Sequence, residues 1–147
     1  LIEANKEELV GLIHSLGLYE LANISKRIVD KNVLKKIDEY LNKSQQKIYQ
    51  RAKSSTEPKP SSLKNFKKML ENKQTLIHFM EHRGVTRLAK ALAGQHSYLV
   101  WYIAHILDRG RGQLLLDQVR QQVPNPHTPF FMKQMLELYQ ELIKRGS

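Results

Sequence analysis

Apolar residues recur every three to four positions along almost the whole chain, and no segment alternates with period two. Such a sequence makes helices that bury one stripe each. Leu9, Leu12, Ile13 and Leu16 form the first stripe. Asn5 and Glu8 have the spacing of a capping box, in which each side chain satisfies the other residue's free backbone N–H. Gly17 reads as the left-handed stop of that helix. Leu18, Leu21, Ile24 and Ile28 continue as the stripe of a second helix, and Asn32 is placed to cap a third with Leu34, Ile37, Leu41 and Ile48.

From Ser54 to Ser62 the chain reads Ser-Ser-Thr-Glu-Pro-Lys-Pro-Ser-Ser. Two prolines without backbone donors and a polar remainder predict a linker. It divides a three-helix lobe, residues 1–53, from a larger helical lobe, residues 63–147. In the second lobe Leu63, Phe66, Met69, Leu70, Ile77 and Met80 lead to a stop at Gly84. Val85, Leu88, Ala89 and Leu92 lead to Gly94, the run from Leu99 to Leu107 leads to Gly110, and Leu115, Leu116, Val119 and Val123 lead to Pro124. Thr128 caps the last helix with Pro129 at its first position, and Phe131, Met135, Leu138 and Leu142 form its stripe. The helix around Trp101 is apolar on nearly all sides, which predicts that other helices surround it. The expected fold class is all-α, a compact helical bundle or short armadillo-like stack of about seven or eight helices in two lobes.

The absence of Cys removes thiolate nucleophiles, disulfides and Cys-based metal sites, and favours the cytoplasm. The longest apolar run, Leu99 to Leu107 with His105 inside it, is far short of the ~20 residues of a membrane span. A chain opening on Leu1 reads as a piece of a longer protein.

Charge points to anionic partners: the net charge is +10, and residues 54–93 carry eight cations against three carboxylates. Lys64, Lys67, Lys68, Arg83 and Arg87 in this basic middle are candidate contacts for an acidic partner protein or a phosphate backbone. Arg109 and Arg111 join them, because Asp108-Arg109-Gly110-Arg111-Gly112 precedes a helix start, where free N–H groups favour anions. Solvated helix faces and a tight Gly turn are the plainer readings of the same residues. Features that read bases are lacking in the sequence: it has no helix-turn-helix with a reading face, no zinc finger and no aromatic platform interleaved with the cations.

His78-Phe79-Met80-Glu81-His82 matches the His-x-x-Glu-His pattern of inverted zincins, with two His as ligands and Glu as base. Glu137 or Glu141 would have to supply the third ligand. The alternative is a solvated helix face opposite Leu70, Ile77 and Met80. His105 and Asp108 are spaced to pair, but no Ser or Thr is placed as their nucleophile. No catalytic residue, metal or cofactor is therefore assigned.

Gly94-Gln95-His96, followed by Leu99, Ile103, Ala104, Leu107, Asp108 and Leu115, resembles the middle domain of the flagellar switch protein FliG over about 25 residues. That family has a Glu-His-Pro-Gln turn, a helix ending near Leu-Asp and a further apolar helix. Gln95 stands in place of the family's Glu and Ser97 in place of its Pro, so no binding residue carries over. The resemblance implies an adaptor of stacked short helices. Together these readings predict a non-enzymatic helical interaction domain of a larger bacterial assembly that binds another, acidic protein, with nucleic acid binding as the alternative and a zinc hydrolase at His78 and His82 as a remote one.

Overall fold

The computed structural model describes residues 3–58 and 66–146, and these form eight helices with no strand. The helices are α1 (Lys6–Ser25), α2 (Lys31–Tyr40), α3 (Lys43–Lys53), α4 (Phe66–Met69), α5 (Lys73–Ala91), α6 (Ser97–Ile106), α7 (Arg109–Arg120) and α8 (Thr128–Gly146). The fold is all-α, as the apolar periodicity requires. No helix among the described residues is long and apolar enough to cross a membrane.

Local capping sets most of the boundaries. The Asn5–Glu8 box is formed, with Glu8 N–H donating to Asn5 Oδ1 at 2.8 Å and Asn5 N–H to Glu8 Oε1 at 3.0 Å. A second box, Asn42 with Gln45, starts α3. It divides the helix expected to run from Asn32 past Ile48 into α2 and α3, and Asp30 rather than Asn32 caps α2.

Three glycines expected to stop helices do not. α1 continues through Gly17, α5 through Gly84, and Gly110 lies in the first turn of α7. The first two serve packing instead. A Cβ added at Gly17 would stand 2.3 Å from the carbonyl oxygen of Met80, and one at Gly84 would stand 2.1 Å from that of Ile13. Each glycine thus lets the other helix's backbone in. The pairing of 13 with 84 and 17 with 80 makes an antiparallel crossing between two buried helices. Gly94, with φ of 80°, is a left-handed stop, as its place after Leu92 predicts.

α5 is the central helix, and α1, α4, α7 and α8 pack on it. Two apolar clusters lie along the α1–α5 crossing. One joins Leu9, Leu12, Ile13 and Leu16 to Val85, Leu88 and Leu92 and to α6, α7 and α8. The other joins Leu18, Leu21 and Ala22 to Leu76 and Met80, with Ile37, Ile48, Tyr49 and Met69 from α2, α3 and α4. Fully burying each large apolar side chain contributes on the order of 1.5–3 kcal/mol. The segment 54–62 falls between α3 and α4, and both clusters draw on residues from either side of it.

The helix around Trp101 is not surrounded. α6 packs chiefly on α7 and buries only Val100, Ile103 and Ala104. A pattern that is apolar all round says nothing about which face meets neighbours, and here Tyr98 and Trp101 are left in solvent.

Candidate interaction surface

The cations singled out in the sequence fall into two groups. Arg87 is only 2% exposed and is held from three directions. Its Nε donates to Glu20 of α1 at 2.9 Å, Nη1 and Nη2 clasp the Glu57 carboxylate at 2.7 Å each, and Nη1 also donates to Gln134 of α8 at 2.9 Å. Arg83 donates to the other oxygen of Glu20 at 2.9 Å and lies over the Phe79 ring. Arg111 donates to Asp108 and to Glu81 at 2.7 Å each. These three arginines bind the protein's own carboxylates. Lys67 and Lys68 on α4 and Arg109 at the start of α7 are exposed. Lys64 lies outside the described residues.

Glu57 belongs to the segment expected to be only a polar linker. Its side chain is buried against Arg87, because a bidentate guanidinium–carboxylate pair satisfies both groups where water is excluded. Lys26 also donates to the backbone carbonyl of Ser55. Residues 59–62 of that segment lie outside the described residues.

The His-x-x-Glu-His motif lines a cavity of about 500 Å³ between α5 and the start of α7, with His78, Glu81 and His82 facing Asp108 and Arg111. Glu81 Oε1 accepts from Arg111 and hydrogen-bonds His14 Nε2 at 2.9 Å. Burial pushes the Glu81 carboxyl up, but the hydrogen bonds and charges of His14 and Arg111 outweigh it and hold the group below its ordinary range. Hydrogen bonds from the Arg111 side chain likewise hold Asp108 below the ordinary carboxylate range. Glu141, a suggested third zinc ligand, is held by Arg51 at 2.7 and 3.0 Å. Among the described residues no three His, Asp or Glu side chains are grouped to hold a metal ion.

Asp108 caps α7, so the Arg109–Gly112 stretch is helix and not a turn. The cap turns the chain sharply between α6 and α7, and Gly112 allows close contact: a Cβ there would stand 2.2 Å from the Ala104 carbonyl oxygen. This junction fixes the outward face of α6. His96 caps α6 by accepting the Tyr98 N–H at Nδ1, 3.1 Å away.

Tyr98, Trp101 and His105 then stand one turn apart on the solvent side. Tyr98 is 65% and Trp101 48% exposed. The Tyr98 and Trp101 rings stack with centroids 6.0 Å apart, and the Trp101 and His105 rings lie 3.9 Å apart. His105 Nδ1–H donates to the Trp101 carbonyl at 2.8 Å, which pins the imidazole against the indole. Beside this ladder a cavity of about 370 Å³ is lined by His105, Arg109, Gln113 and Leu116 among others.

The aromatic face is not legible in the sequence, because the apolar run around Trp101 predicts a central, covered helix. One signal was present: no Asp or Glu occurs between Glu81 and Asp108, so α6 carries no carboxylate to balance its surroundings. Compared with protein-family models, with curated proteins and with solved structures, the chain matches none.

Proposed function

We propose that this chain is a non-enzymatic helical interaction domain of a larger, bacterial assembly, and that it binds an acidic segment of another protein on the outward face of α6. The observation that carries this reading is the exposed, mutually stacked Tyr98–Trp101–His105 ladder. Trp and Tyr dominate binding energy at protein interfaces, and preorganised rings lose little entropy on docking. Arg109 and the carboxylate-free run between Glu81 and Asp108 support an acidic partner, since complementary charge speeds encounter and selects orientation.

Nucleic acid is the second reading, supported by the same rings, because exposed aromatics beside cations stack unpaired bases. The ladder is closed on one side, however: Trp101 and His105 already cover each other at 3.9 Å, leaving no gap for a base between them.

Photo-crosslinking separates the two. A benzophenone side chain replaces Tyr98, or Lys47 as a control, in the chain expressed in its own cells. The expected result is one protein adduct at position 98, absent at position 47 and lost on Trp101→Ala. A nucleic acid adduct at position 98 would move the second reading to first place. The same adducts from both positions would end the proposal.

A further inference from the structure

A second surface lies at the other end of the α1–α5 crossing. The turn after α1, one side of α2 and the α4 region enclose a groove of about 620 Å³. Ile28, Val29, Val33, Phe66 and Leu70 provide its apolar lining, and three cations, Arg27, Lys36 and Lys67, stand among them with two carboxylates, Asp30 and Glu71. Val29 is 91% exposed. α2 has a strongly one-sided apolar pattern yet buries only Ile37. Its Val33 and the neighbouring Ile28 are half-buried, so among the described residues apolar surface stays uncovered along the groove.

We infer that this groove docks an acidic amphipathic helix from a partner protein. Shape is the first argument. Asn32, Val33 and Lys36 of α2 form one wall, and Phe66 and Lys67 of α4 with Leu70 in the turn after it form the other. Two such walls leave between them an elongated apolar slot of the kind that the apolar stripe of a docking helix fills.

Charge is the second argument. Residues 26–36 carry five cations against Asp30 alone, and residues 66–73 carry three against Glu71. These stretches hold +4 and +2 of a net +10. All eight cations are exposed, and none forms an ion pair among the described residues. Asp30 is engaged as the cap of α2, accepting from Asn32 N–H at 2.9 Å. A phosphate backbone would match the charge but leave the apolar floor unfilled, whereas a helix with apolar and acidic faces matches both. This surface shares no residue with the α6 face, so the two proposals fail independently.

The test measures anisotropy of a fluorescein-labelled peptide of about 16 residues, long enough for helix formation, titrated with the whole chain. Leu occupies one helical stripe of the peptide and Glu most other positions; a scrambled isomer keeps its composition and charge. The amphipathic peptide is expected to bind at least about tenfold more tightly than the isomer, because only it presents an apolar stripe. Val29→Glu and the pair Lys36→Glu with Lys67→Glu should each weaken binding about tenfold, and Trp101→Ala should leave it unchanged. Val29→Glu places charge at a solvent-facing position, and circular dichroism checks that its helix content is retained. Equal binding of the two peptides, no effect of Val29→Glu, or displacement of the peptide by a DNA duplex would each overturn the proposal.

Discussion

Gly17 of α1 lies directly against the backbone carbonyl of Met80 in α5, with room for a hydrogen and none for a methyl group. One turn away, Gly84 makes the same approach to Ile13. The crossing is thereby fixed in register, since sliding either helix would push a side chain into the opposing backbone.

Gly17→Ala and Gly84→Ala should each destabilise the protein by about 1–3 kcal/mol, the usual cost of overpacking. Urea denaturation measures this directly. Gly11→Ala is the control, because its Cβ would make ordinary contact, 3.6 Å from Leu142 Cδ2, and Ala favours the helix. It should be neutral or stabilising by up to about 1 kcal/mol. Equal effects at the three sites would mean that helix propensity, not the close crossing, governs stability here.

Replacing Arg87 by Met should cost about 3–5 kcal/mol, because among the described residues Glu57 then remains buried without a cation and Glu20 keeps only Arg83. Adding Glu20→Gln and Glu57→Gln to Arg87→Met should recover part of that loss. A triple variant no more stable than Arg87→Met alone would show that the loss comes from missing packing and not from stranded carboxylates.

Acid should weaken the α5–α7 junction. Glu81 and Asp108 are depressed in the folded state, so each contributes stability that is present above the unfolded carboxylate pKa of about 4 and is lost as pH falls through the lower folded value. Urea midpoints measured between pH 7 and pH 2 should fall on the acid side of that range. Glu81→Gln with Asp108→Asn should flatten the decline, and an unchanged slope would place the acid sensitivity elsewhere.

Trp101 is the chain's one tryptophan, so its fluorescence reports on α6 alone. Emission should resemble that of a largely hydrated indole and be readily quenched by acrylamide in the folded protein. Trp101→Ala should change stability by less than about 1 kcal/mol, since half the ring is already in water. A blue-shifted, protected emission would mean that the ladder is covered in solution.

What the sequence reveals here is what acts within a few residues. The Asn5–Glu8 box, the stop at Gly94 and the stripe Leu9–Leu12–Ile13–Leu16 are local relations, and all are found in the fold. Gly17 and Gly84 look the same in sequence as Gly94, because a glycine that frees φ and one that admits a neighbouring backbone differ only in what lies opposite. The partners of the buried arginines are hidden in the sequence for a related reason. Glu20 lies 67 residues from Arg87 and Glu81 lies 30 from Arg111, beyond any local spacing rule. At the site, Arg109 is exposed at the start of α7, and the exposure of Trp101 is not legible in the sequence because no spacing tells which side of an apolar helix is left uncovered.

The pairing of α1 with α5 also sets an order of events during synthesis. α1 is complete at Ser25, while the helix that covers it ends only at Ala91. At ribosomal speeds of about 5–20 residues per second, the nascent chain carries that unburied stripe for several seconds before its counterpart has been made. Closing so long a loop then makes docking slower than helix formation itself. The leucines of α1 therefore stand open to a chaperone for as long as α5 is unfinished.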